Sequence, residues 1–147
     1  MLKTTVLFLC TGNSCRSQMA EGWGRQLLGD DFAVYSAGIA RHGMNPQAVK
    51  VMAEAGVDIS DQYSKTLEQL PPGNFDYVIT LCGHANETCP WFPGKVIHHG
   101  FDDPPKLAQA ATNEEEALGH YRRVRDEIRD YLKNLPAELA QEESKEA

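Results

Sequence analysis

Short apolar runs alternate along this chain with stripes of helical spacing. Residues 4–9 (TTVLFL) form a brief, partly β-branched apolar run that ends in a polar loop, the pattern of a buried strand. Across residues 17–28 the apolar positions Met19, Ala20, Trp23, Leu27 and Leu28 recur at helical spacing, and Gly29 supplies a stop. Residues 32–36 (FAVYS) alternate as a second strand, closed by Ala37-Gly38. Residues 46–55 predict a second helix, with Asn45 as N-cap, Pro46 in the first position and Gly56 at its end. A short helix is expected after Ser64. Residues 75–81 (FDYVITL) read as a third strand after a Pro-Pro-Gly-Asn turn, and residues 96–98 as a short fourth. The longest helix is expected over 114–135, striped by Leu118, Tyr121, Val124, Ile128, Tyr131 and Leu132. Pro136 follows it, so residues 1–136 read as the domain and the acidic 137–147 as a fraying tail. Residues 106–119 carry little pattern.

Strands that alternate with helices imply a single α/β domain with a four-stranded, parallel sheet and helices on both faces. Ligands in such folds bind beyond the carboxyl ends of the strands. Cys10 follows the first strand, Cys82 the third, and Asp103 the fourth after a loop, so all three are expected at one edge of the sheet.

Composition narrows the class. The 147 residues are 41% hydrophobic and 24% charged, enough for one core without disulfide staples. A net charge of -7 argues against a nucleic-acid binder or a protein held on an anionic membrane. The charges of RRVRDEIRD read as a solvated helix face. No apolar run approaches the roughly 18 residues of a membrane span. The start, with six apolar residues before a polar loop, lacks the pattern of a signal peptide, so a cytoplasmic location is expected. In that compartment Cys10, Cys15, Cys82 and Cys89 are read as catalytic, redox-active or metal-binding before structural. Their C-x4-C and C-x6-C spacings are not the short pairs of structural zinc sites, and no metal is expected. The loop histidines, His84 and the His98-His99 pair, are read as solvated, although His84 lies near Cys82.

The segment Cys10-Thr11-Gly12-Asn13-Ser14-Cys15-Arg16-Ser17 lies between a strand and a helix. It offers backbone N–H groups at a helix N-terminus, a site for an oxyanion. Gly12 and Asn13 tolerate the positive φ that converging N–H groups require. Arg16 adds a planar fork for two oxygens of a tetrahedral anion. Cys10 sits at the mouth, where the helix dipole, the N–H groups and Arg16 are expected to lower its pKa, and Ser17 to donate a hydrogen bond to its sulfur. A thiolate facing a bound oxyanion is a nucleophile facing an electrophile. The bland alternative is a buried cysteine and a surface arginine.

CTGNSCRSQMAEGW resembles the phosphate-binding loop and first helix of the low-molecular-weight protein tyrosine phosphatases. Asp103, directly before Pro104 in GFDDPP, resembles the general acid of that family, with Asp102 its neighbour. Without the resemblance the same residues read as a plain turn. A phosphatase needs Cys10, Arg16 and an acid, but not Cys82 or Cys89. Three thiols on one edge suggest a relay, in which the first attacks, the second resolves and the third carries the disulfide outward.

That combination resembles the thioredoxin-coupled arsenate reductases, which share the phosphatase fold. The match extends through YSAG at 35–38, ITLC at 79–82, Cys89-Pro90, GFDDP and RVRDEI at 123–128. The resemblance implies that arsenate binds at Thr11, Gly12, Asn13, Ser14, Cys15 and Arg16, with phosphate or sulfate as competitors. Cys10 attacks arsenic while Asp103 protonates the departing oxygen. Cys82 then attacks Cys10 and releases arsenite, and Cys89 attacks Cys82 to leave a disulfide that thioredoxin reduces. No cofactor takes part, Cys15 has no essential thiol role, and a monomer is expected because thioredoxin must reach the loop. Trp91 and Phe92 either pack under that loop or contribute to docking. Some reductases of this kind bind potassium at positions matching Asn13, Glu21 and Ser36 plus an aspartate. Lys65 stands at the aspartate's place here, which suggests a Glu21–Lys65 pair instead. The alternative readings are a phosphatase of the same fold with protective cysteines, and a thiol or metal sensor without turnover.

Overall fold

The structure, a computed structural model, describes residues 3–70, 75–83 and 95–146. Four strands, β1 (Thr4–Cys10), β2 (Phe32–Gly38), β3 (Tyr77–Thr80) and β4 (Lys95–His98), pair in the order β2-β1-β3-β4. Every pairing is parallel, with Leu7 opposite both Tyr35 and Val78. The chain steps from β1 to one side and then returns to the other. A crevice therefore opens between β1 and β3 at their carboxyl ends, where such sheets bind ligands.

The pleat divides the apolar run of β1 between two faces. Val6 and Phe8 enter the larger cluster, and Leu7 and Leu9 the smaller. Three helices supply the larger cluster: α1 (Arg16–Leu28), α2 (Pro46–Glu54) and, after the short α3 (Pro104–Ala108), the long α4 (Glu114–Glu146). Trp23 of α1 donates its indole N–H to the Arg125 carbonyl at 3.1 Å, which ties α1 to α4. Asn45 caps α2 as expected, accepting from the amides of Gln47 and Ala48 at 2.9 and 3.2 Å. On the other face, among the described residues, Leu7, Leu9 and Val78 are covered by Tyr35, Ile39, Leu67 and Leu70. Leu67 opens a 3-10 turn (Leu67–Gln69), the short helix expected after Ser64. Among the described residues no helix is long and apolar enough to cross a membrane.

Two elements depart from the sequence reading. Helix α4 does not stop at Leu135 but runs through Pro136 to Glu146. Proline removes one backbone hydrogen bond at that point. Leu135 and Leu139 remain buried on the same stripe, and that packing carries the helix past the proline. The second departure is α3, absent from the expected elements. Asp103 is its N-cap residue and Pro104 opens it, an arrangement that suits a proline without an amide hydrogen.

Candidate active site

Cys10 is the last residue of β1 and Arg16 the first of α1, so the five residues between them must reverse direction at the edge of the sheet. The loop is held from outside through its carbonyls. Those of Cys10, Thr11, Gly12 and Ser14 accept from the amides of Ile39, Ala40, His42 and Asn45 at 3.2, 2.9, 3.0 and 3.0 Å. In a trans peptide the C=O and the following N–H point in opposite directions. The amides of Thr11, Gly12 and Cys15 are thereby left for the other side, where the loop lines a cavity of about 230 Å³ at the N-terminus of α1.

Asn13 is the pivot. It is fully buried, and its φ of 49° makes it the residue that turns the loop. Its Nδ2 donates to Ser17 Oγ at 2.8 Å and Ser36 Oγ at 3.0 Å, and its Oδ1 accepts from Gln18 Nε2 at 2.8 Å and the Lys65 amide at 2.9 Å. Gly12, expected to share the positive φ, does not. Its missing side chain serves another purpose, because a Cβ there would lie 2.2 Å from His42 Nδ1. At Gly38 a Cβ would lie 2.4 Å from the Ala40 carbonyl and 2.7 Å from the Asn13 amide, so β2 approaches the loop backbone to backbone.

Arg16 is buried. Its Nη1 donates to the Phe101 carbonyl at 3.0 Å, while its Nε has no hydrogen-bond partner among the described residues. A buried cationic donor left unpaired is costly, and an oxyanion in the cavity would relieve that cost. Asp103 places a carboxylate oxygen 3.8 Å from Arg16 Nη2 and makes no capping bond to α3. Asp102 turns away to pair with Arg123 at 2.9 Å. Of the adjacent aspartates, it is Asp103 that lines the cavity.

Cys10 and Cys82 meet at the crevice between β1 and β3. Both are buried in the smaller cluster, and Thr11 Oγ1 lies 3.1 Å from Cys82 Sγ. The neighbouring Cys82 reverses the pKa expected of Cys10, which is raised well above the ordinary thiol range. The hydrogen bond with Cys82 is the largest cause, followed by burial; Arg16 and the Thr11 amide oppose them. Ionising both thiols would set like charges side by side. Burial pushes the Cys15 thiol up to about 12, which leaves it protonated at neutral pH.

Residues 5–145 match the family described as low molecular weight phosphotyrosine protein phosphatase. The chain belongs to that family. An arsenate reductase of Halalkalibacterium halodurans is 55% identical over 137 residues, 92% of this chain and 96% of that protein. A solved arsenate reductase in the phosphate binding state has a TM-score of 0.73 and 32% identity, covering 92% of this chain and 98% of its own. A thioredoxin-dependent arsenate reductase of Corynebacterium glutamicum has a TM-score of 0.64 and 27% identity, covering 92% of this chain and 63% of its own.

The phosphatase-family loop thus brings together Cys10, Thr11, Gly12, Ser14, Cys15, Arg16 and Asp103 around one cavity, with Cys82 against Cys10. Asn13 and Ser17 lie behind it as supports. Ser17 Oγ accepts from Asn13, and among the described residues no hydrogen bond joins it to Cys10. Cys89, His84, Trp91 and Phe92 lie outside the described residues. Sequence reasoning missed His42, which packs on Gly12 and lines the cavity, and the Phe101 carbonyl that seats Arg16. His42 follows β2 and so ends at the same edge; a backbone carbonyl leaves no mark in a sequence.

Behind the loop, the side chains do not fit a bound potassium ion. Lys65 Nζ stands 3.3 Å from Glu21 Oε1 and 3.1 Å from the Tyr63 carbonyl, so an ammonium already occupies the oxygen-lined position. The Glu21–Lys65 pair expected from the sequence is present.

Proposed function

We propose that this protein reduces arsenate to arsenite in the cavity between Cys10, Arg16 and Asp103, and that thioredoxin regenerates it. The observation that carries this reading is the position of Cys82, buried in one cluster with Cys10 and with its sulfur 3.1 Å from Thr11 Oγ1 of the loop. Phosphate ester hydrolysis uses a single thiol, whereas reduction needs a second sulfur that can reach the first.

Arsenate sits on the loop amides and the Arg16 fork. The Cys10 thiolate forms a sulfur–arsenic bond and an oxygen departs as water, with Asp103 supplying a proton. Cys82 then attacks Cys10 Sγ. A sulfur–sulfur bond forms, the sulfur–arsenic bond breaks, and its electron pair stays on arsenic, taking As(V) to As(III). Cys89 attacks Cys82 Sγ, Cys10 leaves as thiolate, and the Cys82–Cys89 disulfide passes to a thioredoxin dithiol. The thioredoxin-dependent relative supports that last step. We place the reaction in the cytoplasm, in a monomer.

Two measurements test this. NADPH oxidation coupled through thioredoxin and thioredoxin reductase should depend on arsenate in the wild type and be lost in Cys89→Ser. Hydrolysis of an aryl phosphate faster than arsenate reduction, with no NADPH consumed, would make the protein a phosphatase. Asp103→Asn should slow formation of the Cys10 adduct by about 100-fold, the low end of general-acid contributions, while phosphate affinity stays within about threefold. Full single-turnover activity in that variant would move the proton source to Asp102 or water.

A further inference from the structure

Glu21 lies behind the oxyanion loop with its side chain 2% exposed, and a carboxylate at such depth needs a positive partner and hydrogen bonds. Its Oε2 pairs with Arg25 at 2.9 Å, but that guanidinium is largely in solvent. Its Oε1 takes Lys65 Nζ at 3.3 Å and the Ser36 hydroxyl at 2.5 Å. Ser36 Oγ in turn accepts from Asn13 Nδ2, and the Lys65 backbone amide donates to Asn13 Oδ1. Lys65 thus reaches the left-handed pivot of the loop twice, directly through its main chain and through Glu21 and Ser36 from its ammonium. The ammonium is 8% exposed at the side-chain level and surrounded as a small cation would be: a carboxylate oxygen, the Tyr63 carbonyl, and the Tyr63 ring centroid 4.8 Å away.

We propose that the Lys65 ammonium is a tethered monovalent cation that holds the oxyanion loop in its binding shape and makes a dissolved one unnecessary. The lysine is a positioning residue, for it touches neither Cys10 nor the oxyanion cavity. A second cavity of about 190 Å³, lined by Glu21, Tyr63 and Lys65 among others, opens beside the ammonium. Shortening the Lys65 side chain would therefore leave a route by which potassium or ammonium ions could reach Glu21. The inference depends on the oxyanion site and not on the redox steps.

The test compares phosphate affinity by calorimetry, and thermal unfolding, in potassium chloride and in tetramethylammonium chloride at equal ionic strength. Wild type should bind phosphate within about twofold in both salts and unfold at the same temperature. Lys65→Ala should bind about tenfold more weakly or worse in the tetramethylammonium salt, a change of about 1.4 kcal/mol, and unfold earlier. Potassium or ammonium chloride should restore both readings toward wild type, and Lys65→Arg should stay independent of salt identity. A wild type whose affinity or unfolding temperature rises with potassium would overturn the proposal. So would a Lys65→Ala protein that matches wild type in tetramethylammonium, or one whose loss no small cation repairs. The wild-type comparison stands even if Lys65→Ala does not fold, and neither reading involves thioredoxin, so failure of the reductase reading would leave this result intact.

Discussion

Cys10→Ser is expected to lower arsenate reduction by about 10⁴-fold or more while phosphate still binds within a few-fold of wild type. The asymmetry follows from the site. In the proposed site oxyanion affinity would come from the loop amides, the N-terminus of α1 and the buried Arg16, none of which needs the sulfur. The chemical step has no substitute for it. A serine hydroxyl cannot hold arsenic for a later attack by Cys82, and the only other thiol of the loop, Cys15, is protonated with a pKa near 12. Calorimetry with phosphate and a rate measured with arsenate separate the two effects. A variant that loses both together would mean that Cys10 acts by shaping the loop.

The second large effect is expected for Cys82→Ser. This protein should form its Cys10 adduct once and then stop, so that multiple turnover with thioredoxin falls to background. Normal turnover would remove Cys82 from the reaction. The variant also carries a pH signature. Contact with Cys82 is the main reason the Cys10 thiol titrates high, and Arg16 and the Thr11 amide remain when it is gone. The pKa of Cys10 should therefore fall, and a larger share should be thiolate at a given pH. Alkylation of Cys10 by iodoacetamide, followed against pH, should shift to lower pH in Cys82→Ser. An unchanged profile would show that burial, and not the neighbouring thiol, sets the value.

The parts of this molecule legible in its sequence are those fixed by short-range pattern. The apolar run of β1, the stripe of α1 and the Asn45-Pro46 start of α2 each signal their element locally, and together they imply the parallel sheet. The edge that gathers Cys10, Cys82 and Asp103 follows from topology alone. Its place before Pro104 marks Asp103 over Asp102, which pairs with Arg123. What escaped depends on contacts between distant segments. Pro136 would end an isolated helix, but Leu139 is buried against the core. The five residues of α3 are too few to show a period, although Asp-Pro is itself a helix-start signal. The pKa of Cys10 departs from the sequence expectation because the group that dominates it follows another strand.

The central claim is that one molecule of arsenate converts two thiols of this chain into a disulfide. The direct measurement is a single turnover without thioredoxin: fully reduced protein receives excess arsenate, released arsenite is counted, and disulfides are mapped by peptide mass spectrometry. The expected result is one arsenite per protein chain and one disulfide, between Cys82 and Cys89, with Cys10 again a thiol. Protein that releases no arsenite and keeps its thiols would contradict it.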